Sequence, residues 1–343
     1  MCRQFYSLTF LLTTILVSAF TSASENNLTI ALGSCAEQNK TQSVWNAISK
    51  KNPDLFIFMG DNVYIDSSNP EDMSTAYSML SNNANFSKFR KSTPVIGTWD
   101  DHDYGITDGG KNFIGKVDAK KAFIEFFDYP ELKQVDGVDR GIYHTKELSI
   151  NGKRVQIILL DTRWFRDDIQ KSFLNRKQRE KLNIGPYQPV WDKNKTMLGE
   201  KQWSWLKSEL RKPYDFRVIV SSIQVLPEYT GWESWANLPY ERTRLLDLVH
   251  DFTDNTMFVS GDVHRAEMSK LEYKDKTFIE ITSSGLASRI YPAAANKHRV
   301  DDAIIKENFA TLKFSGKESL KILGSIFDSN GKLQSSIDIP SNN

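Results

Sequence analysis

The sequence predicts an α/β fold of layered sheets and helices, and three observations lead there. Short apolar runs recur along the first 260 or so residues, amphipathic stretches fall between them, and small or acidic residues close several of the runs. Strands that alternate with helices of this length belong to layered α/β domains. The 343 residues are 40% hydrophobic, which supplies a substantial core for one large or two small domains.

In chain order, strands are expected near 28–33, 54–59, 94–98, 154–160, 216–222 and 256–260, with helices near 41–50, 70–80, 118–127, 199–210 and 239–250. Leu55–Met59 is a continuous apolar run, which suits a strand covered on both faces. After Leu198-Gly199-Glu200, Trp203, Leu206 and Leu210 recur at helical spacing. Beyond residue 264 the pattern changes: 268–273, 277–282, 309–314 and 320–327 read as strands, and Ser329-Asn330-Gly331-Lys332 as a hairpin turn. A second, more antiparallel sheet is expected there. Residues 164–196 form a polar, charged insertion of weak periodicity, and long insertions of this kind often rim active sites.

At the N-terminus, Arg3, the apolar stretch 5–17 and Thr21-Ser22-Ala23 read as an export signal over residues 1–23, leaving 24–343 as the mature domain. The apolar stretch is shorter than the roughly 18–20 residues of a spanning helix, so an uncleaved anchor is the lesser alternative. The expectation is a periplasmic or secreted protein with no membrane span after signal removal, and a monomer. Lys plus Arg total 44 and Asp plus Glu 43, so no bulk charge calls for a nucleic-acid partner or a membrane surface. Cys2 leaves with the signal, and Cys35 is then unpaired in an oxidising compartment. A buried inert thiol is one reading of Cys35; its place at a strand end favours a chemical one.

Four fragments end apolar strands and carry metal-competent side chains: Gly33-Ser34-Cys35, Gly60-Asp61-Asn62-Val63-Tyr64, Trp99-Asp100-Asp101-His102-Asp103 and Gly261-Asp262-Val263-His264. Each alone is ordinary turn chemistry. Together they place a thiol, a phenol, several carboxylates and two imidazoles on one sheet rim, where α/β folds bind ligands. The carboxylates at 100–103 repel one another unless cations or solvent separate them. Thiolate and phenolate donors favour a strongly charge-accepting ion such as Fe³⁺, whereas carboxylates favour Ca²⁺, Mg²⁺ or Mn²⁺. A carboxylate that bridges two ions holds them about 3.5–4 Å apart, an arrangement that lets a bridging hydroxide attack phosphorus. A nearby histidine can then protonate the leaving oxygen.

In this order and at these intervals, the four fragments resemble the calcineurin-like metallophosphoesterases, and more closely the PhoD-like alkaline phosphatase D family. The resemblance runs from about residue 28 to 290 and takes in Leu160-Asp161-Thr162-Arg163 and the block 199–206. It implies a two-sheet β sandwich flanked by helices (αββα) and hydrolysis of small phosphate esters, monoesters or diesters. It further implies Fe³⁺ held by Cys35, Asp61, Tyr64 and His264. Asp61 would bridge to Ca²⁺ (or Mg²⁺ or Mn²⁺), which Asp101 and Asp262 would also bind. The wider superfamily has Asn-His in place of Asp101-His102 and His-x-His in place of Asp262-Val263-His264, and both changes harden the second site towards Ca²⁺. Whether Asp100 also ligates stays open, as does Asn62, a ligand through its amide oxygen or a turn residue.

His102 is the candidate for protonating the leaving group, with a packing role as the alternative. Arg163 has two readings of equal weight: a bidentate grip on a phosphate oxygen, or a structural ion pair with Asp161 or Asp167. Gln224 is a weaker candidate on a further loop, and His144, His250 and His298 receive no chemistry. The aromatic segment 229–235 either lines a substrate cleft or packs on the helix after it. Two rival functions remain: a phospholipase- or nuclease-like phosphodiesterase acting on a larger substrate, and a non-catalytic metal-binding protein on the same fold.

Overall fold

A computed structural model describes residues 27–135 and 139–341; the export signal expected at 1–23, Cys2 included, lies outside them. Two sheets face each other and helices cover both outer faces, so the αββα layering expected from the sequence is the architecture found. The alternation of side chains along each strand builds it. In Leu55–Met59, Leu55, Ile57 and Met59 enter the core between the sheets, while Phe56 and Phe58 meet Trp45, Phe86 and Phe89 on the helical side. In the other sheet Phe216, Val218 and Val220 point into the same inter-sheet core, and Ile219 faces the helices Gly199–Leu210 and Pro239–Phe252. Both faces of these strands are buried, which is why they read as unbroken apolar runs.

The first sheet orders its strands Leu333–Ile339, Lys321–Asp328, Asn308–Ser315, Leu28–Gly33, Leu55–Met59 and Val95–Thr98. The second runs Arg299–Ile304, Ala266–Tyr273, Lys276–Ser283, Thr256–Ser260, Phe216–Val220, Lys153–Leu159 and His144–Ile150. Here the structure corrects an expectation. The strands after residue 264 do not form a sheet of their own; three extend the second sheet and three extend the first. The second sheet therefore has a parallel centre flanked by antiparallel strands, whereas in the first the parallel strands occupy one half, out to the edge strand Val95–Thr98, and the antiparallel strands the other. The strand Arg299–Ile304 and the helix Ala84–Ser92 were not expected, whereas Leu333–Ile339 is the strand that the hairpin turn at 329–332 calls for. That helix restarts at Asn83, whose side chain accepts from the Asn85 and Phe86 amides. The insertion forms a two-stranded hairpin, Gln170–Lys171 with Tyr187–Gln188, around the helix Arg176–Leu182, which buries none of its residues. Among the described residues no helix is long and apolar enough to cross a membrane.

The parallel strands of both sheets end on one side, and their loops are stitched together there. The Cys35 amide donates to the Gly60 carbonyl at 3.4 Å, Gly261 N–H to Ser222 at 2.9 Å, and Leu286 N–H to Ser34 at 3.0 Å. Thr98 Oγ1 crosses from one sheet to the other to the Leu160 carbonyl at 2.7 Å.

Candidate active site

The backbone at these strand ends is unusual. Cys35, Asp61, Asp66, Asp262 and His264 all have φ between 48° and 67°, the left-handed region that non-glycine residues avoid. Each such residue costs about 1–3 kcal/mol, so the surrounding loops must hold it in place. Gly60 is needed for the same reason: its φ is 101°, and a Cβ there would lie 2.6 Å from that of Asp100. At Gly261 a Cβ would lie 2.4 Å from Ser34 Oγ, so the GSC and GDVH loops pack directly on each other.

This geometry gathers three donor sets: two share Asp61, and Asp101, Asp108 and Glu233 form the third. Cys35, Asp61 and His264 bring a thiol, a carboxylate and a ring nitrogen within 4.8 Å of one another. The Tyr64 hydroxyl joins them, 3.2 Å from His264 Nε2 and donating to Asp61 Oδ2 at 3.4 Å. His264 Nδ1 lies 2.6 Å from the Arg289 carbonyl; it donates there, which leaves the Nε2 lone pair turned to the cluster. Asp61, Asp101 and His102 form the second set, and Asp61 belongs to both. Asp262 lines the same cleft, but among the described residues its carboxylate joins none of the three compact sets.

Burial, and then the neighbouring Cys35 and Asp101, push the Asp61 carboxyl far above its ordinary range. Burial raises the Cys35 thiol to about 12, and it raises the Tyr64 hydroxyl and Asp262 as well. So much anionic character packed out of water is costly on its own and is relieved by cations. The donors fit the expected pair: thiol, phenol, imidazole and carboxylate for a ferric ion, carboxylates for a hard divalent one.

The acidic run divides its work. Asp101 is the member whose carboxylate groups with that of Asp61. Asp103 accepts from the Asp100 and Asn62 amides at 2.5 and 3.1 Å, closing the turn. The Asn62 side-chain nitrogen donates to Asp103 and to the Thr98 carbonyl, while its buried Oδ1 has no hydrogen-bond partner among the described residues and stays available as a ligand. Asp100 is fully buried on Arg163, with Ser222 Oγ donating to it at 2.6 Å.

Arg163 needs the larger correction. Its partners are neither Asp161 nor Asp167 but Asp100 and Glu233, with an Nη2 to Glu233 Oε2 distance of 2.7 Å. The Gly109 carbonyl takes the remaining donor, so the fully buried guanidinium has no N–H left for a phosphate. Arg163 is a positioning residue. Arg166, unsuspected from the sequence, closes on Glu233 from the other side at 3.1 Å.

His102 Nδ1 lies 2.8 and 2.9 Å from the two oxygens of Asp66, and its ring lies against Tyr64 with centroids 4.2 Å apart. Burial alone would lower its pKa; the Asp66 hydrogen bond and the Asp61 and Asp101 charges outweigh it and raise it to about 10. Its Nε2, without a partner among the described residues, is the nitrogen offered to the cleft. Asp66, Asp108 and Glu233 were missed by sequence reasoning, since nothing local marks a loop acid that meets its partner only after folding. Gln224 is also a packing residue, bonded to Glu267 and Thr282 at 2.6 and 3.0 Å.

The site opens into a cleft of about 350 Å³ lined by Asp101, His102, His264, Arg265, Tyr291 and Trp232, among others. Pro186 and Tyr187 of the insertion contribute to its rim, and the Tyr187 hydroxyl donates to Asp108. The aromatic segment thus serves both roles considered for it. Trp232 faces the cleft, whereas Trp235 is buried, with Nε1 donating to Ser221 at 3.0 Å and its ring on Trp203.

The αββα sandwich thus places overlapping candidate donor sets across its strand ends. Residues 30–322 match the family of PhoD-like phosphatases, and the chain belongs to that family. It is 22% identical over 332 residues to alkaline phosphatase D of Bacillus subtilis (strain 168), a match covering 82% of this chain and 54% of that protein. The chain thus spans about half the length of the curated relative it matches. A solved structure of PhoD superposes with a TM-score of 0.69 at 16% identity, covering 92% of this chain and 72% of that one. A dimetal phosphatase from Danio rerio shares the fold at a TM-score of 0.55 and 13% identity, covering 92% and 99% of the two chains.

Proposed function

We propose that the protein is a metal-dependent phosphoesterase that hydrolyses small phosphate esters, with residues 24–343 as its exported domain. The observation that carries this reading is that Asp61 groups both with Cys35 and His264 and, on its other side, with Asp101, as a carboxylate bridging two ions must. Cys35, Asp61, Tyr64 and His264 would hold Fe³⁺; Asp61 and Asp101, with Asp262 beside them, would hold Ca²⁺. Bound there, the two ions would neutralise the phosphoryl oxygens and supply the Lewis acidity that activates water.

The chain's own residues supply the rest. His102, held in its charged form by Asp66, keeps a proton at Nε2 for the leaving oxygen. Asp103 and Asn62 fix the turn that aims Asp101, and the Arg163–Glu233 pair keeps the second carboxylate, Asp100, out of the cleft. The cleft volume, at the small end of ligand sites, favours a small ester over a polymer. The Asp66–His102 pair at the cleft speaks against a purely metal-storing role. Export rests on the composition of residues 3–23.

Cys35→Ser tests the iron assignment. Elemental analysis should find about one iron per wild-type chain, with a visible thiolate or phenolate charge-transfer band, and loss of that iron in the variant. Unchanged iron content in Cys35→Ser would refute the assignment.

A further inference from the structure

Among the described residues, Arg265 is the one lysine or arginine side chain on the cleft wall. It is set differently from Arg163 and Arg166, which spend their charge on Glu233. Only 3% exposed, Arg265 is fixed by Nη1, which donates to the carbonyls of Val263 at 3.1 Å and Pro292 at 3.4 Å. Its Nε is sealed in without a hydrogen bond, and the nearest carboxylate oxygen, on Glu267, is 3.9 Å away. Glu267 is itself engaged by Arg299 and Gln224, each at 2.6 Å. Nη2 neither makes a hydrogen bond nor is sealed from solvent. Arg265 is therefore a rigidly mounted cation whose long, shared ion pair with Glu267 leaves the Nη2 edge open.

Two aromatic rings share the cleft wall with it. Trp232 and Tyr291 are 49% and 43% exposed, so each presents ring area to the cleft, although the Arg289 guanidinium lies 5.4 Å from the Tyr291 ring centroid. The Tyr291 ring lies over His264, centroids 5.0 Å apart and planes at 31°, so a ring placed against Tyr291 sits next to the first donor set. A flat aromatic group gains from such faces, and an anionic oxygen gains from a guanidinium N–H pair; an aliphatic alcohol gains from neither.

We propose that Trp232, Tyr291 and Arg265 form a leaving-group subsite for phosphate esters of an aromatic alcohol that carries a second anionic group, such as a carboxylate. The proposal rests on the phosphoesterase reading above, and it is tested by binding so that the two fail separately. The metal-loaded protein is titrated calorimetrically with methylphosphonate, benzylphosphonate and 4-carboxybenzylphosphonate. The wild type should bind the benzyl compound about fivefold more tightly than the methyl one, and the carboxybenzyl compound about tenfold more tightly again. Arg265→Gln should abolish the second gap and keep the first. Trp232→Ala, a half-exposed position whose truncation spares the core, should shrink the first. Equal affinities in the wild type, or both gaps unchanged in the variants, would overturn the subsite. An intact affinity series with no turnover of phenyl or 4-carboxyphenyl phosphate would uphold the subsite and sink the hydrolytic reading.

Discussion

Arg163 offers five N–H donors, and Asp100, Glu233 and the Gly109 carbonyl take all of them. Its effect on chemistry is therefore indirect, through the carboxylates it holds. Removing one partner of a buried ion pair leaves the other charged and unsolvated, a loss of about 3–5 kcal/mol. Arg163→Ala is accordingly expected to lower unfolding stability by that amount, read by chemical denaturation of the metal-free protein. A residue that merely gripped phosphate would weaken substrate binding and leave stability unchanged. Asp66 works in the same indirect way through His102. Neither partnership was legible beforehand: Glu233 lies 70 residues from Arg163 and Asp66 lies 36 from His102, with no periodicity linking them.

The strand-to-loop junctions are the elements on which the site depends, and they were the most legible part of the chain. Leu55–Met59 had to be a buried strand because all five of its residues are apolar, and Gly60-Asp61 had to end it. Cys35, Asp61, Tyr64 and His264 were legible because each follows such a run within a few residues. Which sheet a strand joins was not legible. Asn308–Ser315 and Lys276–Ser283 have similar patterns, yet one pairs with Leu28–Gly33 and the other with Thr256–Ser260. Side-chain period states which faces are buried and is silent on the neighbouring strand. The junctions also predict where the fold is brittle. Gly60→Ala forces a Cβ to within 2.6 Å of the Asp100 Cβ and 3.0 Å of that of Ser222, at φ 101°. It should cost about 1–3 kcal/mol and displace Asp61. Denaturant midpoints and metal occupancy of the purified variant check both consequences; a fully metallated variant of wild-type stability would show that the loop has room to spare.

At the scale of the whole molecule, the site is a store of buried negative charge that the fold tolerates at a cost. Burial, opposed in part by Arg163, raises Asp100 from 3.8 to about 7; burial with the Glu233 charge raises Asp108 to about 7 as well. Burial also raises Asp61 and Asp262, while Asp101 is lowered because the Arg163 and His102 charges overcome its burial. A group whose folded pKa is raised binds its proton more tightly when folded. Its contribution is full below the unfolded value and is lost as pH rises through the folded one. Within the site the raised carboxyls outnumber the lowered one, so the site's own contribution to the stability of the metal-free protein should fall between about pH 4 and pH 7. Cations in the site would offset that loss. Stripping metal with a chelator should therefore depress the melting temperature at pH 8 far more than at pH 5, as thermal denaturation would show. An equal depression at both values would mean that the acidic cluster does not govern metal-linked stability.

The bridging position of Asp61 is best tested by counting metal ions and measuring turnover on the same sample. For the wild type and Asp61→Asn, elemental analysis and hydrolysis of 4-nitrophenyl phosphate should give about two ions per chain and activity in the first. The second should retain its fold, lose metal from both positions and lose at least about a hundredfold in rate. An Asp61→Asn protein that keeps both ions and hydrolyses the ester at the wild-type rate would contradict the account.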